Sequence, residues 1–259
     1  MFMILAIDVG NSDIVIGGYE NDVLCFTSRC ACDRRKTTDE YALVFKGILE
    51  LRNTTPEQIR GGIISAVVPS LRTVIQQAIE DLTGAPFLTV TSGIKTGLNI
   101  RTDYPGELGS DLVAEAVAAI AKYPKPIIIF DMGTATTVSV VDQNGAYLGG
   151  MLYPGLRISV DALASSADQL PSITLKAPER LIGRNTEECM QSGAIYGYAA
   201  MLDGLIDRLE SELRMPATTV ITGGLASLAV PYCQKPIIVN QNLLLDGLCI
   251  LHKKNRARR

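Results

Sequence analysis

The strongest constraint on the fold of this chain is a device that occurs twice. Asp8-Val9-Gly10-Asn11-Ser12 near the start and Asp131-Met132-Gly133-Thr134-Ala135-Thr136-Thr137 near the middle each follow an apolar run, residues 3–7 and 127–130, of the kind that forms a buried strand. In each, the chain then turns tightly and returns through a second β-rich run, 14–16 or 136–141. A strand that ends in Asp and passes into a turn of Gly and hydroxyl residues sets backbone N–H groups, a hydroxyl and a carboxylate along one edge. Such an edge suits a polyphosphate and its cation, the N–H groups taking the anion and the carboxylate the metal. Two copies imply two halves gripping one nucleotide.

The order of elements repeats with the device. Strands at 3–9, 14–20 and 22–29 are followed by a helix with a capping-box signature, Thr37 to Glu40, and an apolar stripe of Tyr41, Val44, Phe45, Ile48 and Leu49. A strand at 63–67, a helix from Pro69 to about Gly84 and a strand at 87–90 complete the first half. The second half reads as strands at 126–131, 136–142 and 146–152, with Asn144-Gly145 as one hairpin turn. Helices then open near 157 and span about 185–213, followed by strand 219–222, a short helix after Gly223-Gly224, strand 237–239 and a last helix from about 241. Three adjacent strands followed by alternating helices and strands predict an α/β fold of two halves, 1–110 and 111–259. Each half is a mixed five-stranded sheet with helices on both faces, and the active site falls in the cleft between them. The segment 97–110 reads as loop, and a helix beginning near Asp111 buries Leu112, Val113, Ala116, Val117 and Ile120.

Composition removes several function classes. At 259 residues and a net charge of −3, the chain has no electrostatic footprint for nucleic acid. The one basic cluster, Lys253, Lys254, Arg256, Arg258 and Arg259, reads as a solvated end. Residues 1–7 read as a core strand and not as a signal peptide, and no apolar run approaches the roughly 18 residues of a membrane helix. Six scattered cysteines, of which only Cys30 and Cys32 are close, read as reduced and mostly buried, which places the protein in the cytoplasm.

The chain has a single histidine, His252, on what reads as a mobile end, so a Ser-His or Cys-His nucleophile is not expected. The Walker pattern G-x-x-x-x-G-K-[ST] is missing. Acid–base work therefore falls to carboxylates, and Asp8, Asp111 and Asp131 stand out. Asp8 and Asp131 end apolar strands, where a charge either binds a cation or accepts hydrogen bonds from its own turn. Asp111 stands at a helix N-terminus, where it serves the helix dipole, acts as a base, or shares the helix end with an anionic substrate. In Thr222-Gly223-Gly224 the glycines admit a nucleoside close to the backbone or simply allow a tight turn. Gly149-Gly150 and Pro154-Gly155 shape the cleft or punctuate turns. The segment 185–213 is an interface helix or an ordinary core helix.

Together these segments resemble the type III pantothenate kinases of the acetate kinase/sugar kinase/Hsp70/actin superfamily, over nearly the whole chain. Asp8 to Ser12 resembles the family's D-x-G-N-T, with Ser for Thr. Gly109-Ser110-Asp111 resembles G-x-D-R, and Asp131 to Thr137 resembles D-x-G-T-A-T-T. Gly149-Gly150 with Pro154-Gly155, Asn185-Thr186 and Thr222-Gly223-Gly224 match in order and spacing. The resemblance implies phosphorylation of pantothenate by ATP, the first step of coenzyme A biosynthesis. It implies ATP contacts from Asp8, Val9, Gly10, Asn11, Ser12, Asp13, Ile14, Val15, Thr134 and Gly223. It also implies a substrate site at Gly109, Ser110, Asp111, Leu112 and Thr186, with Asp111 as general base. Asp131 would hold a monovalent cation, K⁺ or NH₄⁺, Mg²⁺ would accompany ATP, and a homodimer would bring Thr186 to the acceptor across its interface.

Two departures lie on the acceptor side. Leu112 stands where the motif has Arg, and Thr102 stands where the family often has Tyr. An Arg pairs with a substrate carboxylate and Leu does not, so Lys95, Arg101 and Arg157 are the candidates for a replacement charge. The ATP side is intact, which keeps two alternatives beside pantothenate: a kinase of another small alcohol, and a catalytically silent nucleotide-binding regulator.

Overall fold

The computed structural model describes residues 2–256. It contains two mixed sheets, each built around one of the Asp-ended strands. In the first, β1 (Met3–Val9), β2 (Asp13–Glu20), β3 (Val23–Ala31), β4 (Ile59–Ala66) and β5 (Phe87–Thr89) lie in the order β3-β2-β1-β4-β5. β1 is antiparallel to β2 and parallel to β4. Its near-continuous apolar run suits a central strand covered on both faces, whereas the edge strand β3 alternates between exposed and half-buried residues. Asn21 and Asp22, both at positive φ, make the tight turn between β2 and β3.

Helices cover both faces of this sheet. On one, α1 (Thr38–Leu51) and α2 (Pro69–Thr83) pack Tyr41, Phe45, Leu49, Leu71 and Ile75 over Leu5, Ile7 and Val9. The Thr37–Glu40 capping box starts α1, and Gly84 in the left-handed region ends α2. On the other, α3 (Ser110–Lys122) and α7 (Leu243–Arg256) bring Val113, Val117, Leu245 and Leu248 against Ala6 and Ile63.

The second sheet repeats the strand plan of the first. β7 (Ile127–Met132) is antiparallel to β8 (Ala135–Val141) and parallel to β10 (Thr218–Thr222), and β9 (Ala146–Pro154) and β11 (Ile238–Val239) flank them. The order β11-β10-β7-β8-β9 is that of the first sheet read from the other end. The expected five strands become six, because β6 (Asn99–Ile100), inside the segment read as loop, pairs with β9. Two residues are too few for a periodicity to reveal. α4 (Leu156–Ser166), α5 (Thr186–Leu213) and α6 (Ala226–Ala229) contribute Leu156, Ile195, Leu202 and Ala226 to the core over Ile128, Phe130 and Met132. Gly149 and Gly150 lie inside β9, not at its end.

The chain divides into two compact units, residues 1–98, 103–121 and 242–259 in one and residues 99–102 and 122–241 in the other. These differ from the expected halves 1–110 and 111–259, because α3 and α7 pack on the first sheet. α7 also corrects the reading of the C-terminal stretch. His252 is buried at 7% exposure, Lys253 pairs with Asp22, Lys254 Nζ donates to the Thr96 carbonyl at 2.8 Å, and Asn255 holds Lys95 through its backbone. Arg258 and Arg259 lie outside the described residues. All six cysteines are free thiols, but only Cys249 is buried; Cys25 and Cys189 are exposed and Cys30, Cys32 and Cys233 half-buried. The exposed pair sits on the outer strand β3 and the first turn of α5, where thiols need no apolar surroundings.

Candidate functional site

In the first unit, β1 delivers Asp8 to the sheet edge, opposite Val15 on β2 and Ser65 on β4. The turn that follows is closed by Gly10 N donating to the Asp13 carbonyl at 2.9 Å, and Cys32 N donates to the Ser12 carbonyl at 2.9 Å. Asn11 and Ser12 are exposed at its tip, as a phosphate-binding turn requires. Asp13 pairs with Arg29 at 3.3 Å, and Arg34 reaches Asn11 Oδ1 at 3.3 Å. Val9 and Ile14 are fully buried under α1 and α2, so any contact they make with a ligand runs through their backbone. Val15 is half-buried.

Asp111 arrives at the same edge through α3. Gly109 accepts the first helical bond, from Val113 N at 3.0 Å, which puts Asp111 in the first turn, where the helix dipole favours a carboxylate. Asp111 Oδ1 accepts from Leu112 N at 2.9 Å and lies back over Gly109. Ser110 Oγ is 2.9 Å from Ser65 Oγ. This hydroxyl pair ties the start of α3 to the β4 residue that faces Asp8. Sequence reasoning missed Ser65. The signal was the duplication itself: Thr222, in the corresponding strand of the second sheet, faces Asp131 as Ser65 faces Asp8.

The second edge is built around Asp131, opposite Thr137 and Thr222. The threonines of its turn divide their roles. Thr136 is fully buried and shares a hydrogen bond with the Tyr198 hydroxyl from α5, while Thr134 is exposed. Burial pushes the phenols of Tyr153 and Tyr198 up, so both stay neutral beneath the turn. Gly155 N donates to the Thr134 carbonyl at 3.2 Å, and a Cβ at Gly155 would come within 2.3 Å of that oxygen. Pro154-Gly155 therefore shapes the turn. Gly223 has φ of +93°, and a Cβ there would stand 2.5 Å from the Met132 backbone. Close packing of β10 on β7 thus accounts for this glycine without a ligand. Asp131, Thr134 and Thr137 offer hard oxygen donors of the kind that Mg²⁺ and K⁺ take.

Thr186 is the first residue of α5, whose cap is Asn185, accepting from Glu188 N at 2.9 Å. It lines an apolar groove of about 480 Å³ between α4 and α5, with Leu156, Leu163, Met190 and Met201. Of the replacement cations, Arg101 stands 4.0 Å from Asp142, Lys95 is held by Asn255 through its backbone, and Arg157 is exposed in the first turn of α4. Leu112 is half-buried and carries no charge to this edge. Among the described residues no helix is long and apolar enough to cross a membrane.

Duplicated mixed sheets with the same strand order, each carrying Asp as the next-to-last residue of its central strand, define an actin-like α/β fold. The chain superimposes on the activator of the 2-hydroxyisocaproyl-CoA dehydratase from Clostridium difficile, solved with bound ADPNP, with a TM-score of 0.57 at 11% identity, covering 100% of this chain and 98% of that one. It superimposes on the ROK hexokinase from Thermus thermophilus with a TM-score of 0.51 at 15% identity, covering 100% of both chains. The family model of type III pantothenate kinase matches residues 4–208. The type III pantothenate kinase of an Exiguobacterium species is 42% identical over 254 residues, 98% of this chain and 100% of that protein. The chain belongs to the type III pantothenate kinase family.

Proposed function

We propose that this chain transfers the γ-phosphoryl group of ATP to the primary hydroxyl of pantothenate, with Asp111 as the base. The observation that carries the reading is the convergence of Asp8, Ser65, Ser110 and Asp111 on one edge of one sheet. The reading is supported by the turn after Asp8 and the start of α3 belonging to a single unit. The turn after Asp8 (Asp8, Val9, Gly10, Asn11, Ser12, Asp13, Ile14 and Val15) contacts ATP.

Asp111 accepts the hydroxyl proton as the oxygen attacks in line. A primary alcohol is a weak acid, so orienting the nucleophile carries more of the rate than removing its proton. Mg²⁺ with ATP and a monovalent cation at Asp131 supply positive charge that offsets the triphosphate. Gly109, Ser110, Leu112 and Thr186 form the acceptor site. Thr186 serves it in a homodimer, a reading supported by the exposed Leu181 and Ile182 beside α5. A biosynthetic kinase with six free thiols belongs in the cytoplasm.

The test is ADP release with ATP, Mg²⁺ and K⁺, with and without pantothenate. Release that depends on pantothenate is the expected result. ATP binding without release would overturn the assignment of the acceptor.

A further inference from the structure

Ser65 is a hydroxyl in the apolar run Ile63-Ile64-Ser65-Ala66, with no exposure to solvent. Its side-chain hydrogen bond among the described residues is to Ser110 Oγ, at 2.9 Å. Two hydroxyls in contact share one proton, and burial decides whose. A donor sealed from water costs about 1–3 kcal/mol when it finds no acceptor, whereas a half-exposed hydroxyl turns its proton to water or a ligand at little cost. Ser65 is sealed and Ser110 is half-buried. Ser65 therefore donates to Ser110, and the Ser110 O–H is left for water or a ligand, one residue before Asp111.

We infer that Ser65 and Ser110 form a two-hydroxyl relay in which Ser110 donates to an oxygen of the acceptor substrate and Ser65, which never touches it, fixes and polarises that donation. The inference rests on the reading of the Asp111 edge as the acceptor site. Accepting a hydrogen bond makes a hydroxyl a better donor, so Ser65 is a positioning residue for Ser110. The relay also gives this edge a neutral donor two residues before Leu112, where the family motif carries a cation.

Steady-state kinetics of Ser65→Ala, Ser65→Cys, Ser110→Ala and the double Ser65→Ala/Ser110→Ala variant test it, with pantothenate and ATP varied separately. Cysteine is slightly larger than serine, so it leaves no cavity at position 65, and it is a weak donor, so hydrogen bonding separates from cavity formation even if the alanine variant folds poorly. The expected result is a rise in the pantothenate KM of about five- to tenfold in each single variant, cysteine included, with the ATP KM unchanged. The double variant is then no worse than Ser110→Ala alone, because both changes cut the same relay. A wild-type pantothenate KM in Ser65→Cys overturns the inference, as does a double variant in which the two effects multiply. An equal rise in the ATP KM also overturns it. Failure of the underlying reading shows differently: Asp111→Asn then retains turnover, whereas failure of the relay alone leaves Asp111→Asn inactive.

Discussion

The carboxylate of Asp111 lies so close over Gly109 that a Cβ at position 109 would come within 2.3 Å of Oδ1. The clash is with the end of a side chain that can swing away, so the fold has room to absorb it. The position of the proposed base does not. Gly109→Ala is expected to melt near the wild-type temperature while kcat falls about 100-fold, the scale on which misplacing a reacting group by an ångström acts. A variant with wild-type kcat would remove the fixed carboxylate from the mechanism.

Asp111→Asn keeps the shape of the side chain and its bond from Leu112 N but loses the proposed proton acceptor. Turnover is expected to fall by at least about 100-fold, with ATP affinity by calorimetry unchanged. A folded variant that no longer binds ATP would make Asp111 a nucleotide ligand.

The same two serines and their aspartates show how far the sequence carries. Asp8 and Asp131 were legible as candidates because each breaks an apolar run, Asp111 because it stands at the start of a helix, and the duplication because β1 and β7 repeat the same motif. Ser65 was not, because a small hydroxyl in a buried strand leaves the hydrophobic pattern almost intact and acts through a partner 45 residues away. His252 was misread for the same kind of reason. Its basic neighbours suggest solvent, yet Leu245, Leu248 and Leu251 hold α7 against the first sheet. The strand β6 has too few residues to carry a period, and the membership of α3 and α7 in the first unit depends on packing that no local window contains.

Gly223 discriminates between a ligand contact and a packing requirement. Its φ of +93° and a Cβ position 2.5 Å from the Met132 backbone make alanine costly whether or not a nucleotide binds. Gly223→Ala is expected to lose about 3 kcal/mol of stability, from backbone strain and overpacking together. Chemical denaturation measures it. An unchanged midpoint with a raised ATP KM would assign the glycine to the nucleotide instead.

Asp131 is the proposed site of the monovalent cation, so replacing K⁺ with Na⁺ is expected to slow the wild-type enzyme. Asp131→Asn should be slow in both salts, since the smaller ion and the lost carboxylate weaken the same site. The readout is the rate at fixed ionic strength. Equal wild-type rates in the two salts would take the cation from Asp131.

The buried imidazole of His252 predicts a pH dependence of stability separate from catalysis. Burial, with Arg256 adding to it, holds its pKa below the ordinary 6.5. At a pH just under 6.5 the unfolded chain therefore binds a proton that the folded chain does not. Folding stability from this group is present in full above that pH and is lost as the pH falls toward the depressed value. Melting temperatures at about pH 7.5 and 5.5, read beside those of His252→Gln, isolate the effect, because the carboxylates titrate alike in both proteins. The wild type is expected to lose more on acidification than the variant. A glutamine side chain has no proton to gain, and position 252 lies at the Gly61 end of β4, away from Ser65, so the change leaves the Asp111 edge untouched. Parallel curves for the two proteins would mean that His252 reaches water in the folded state.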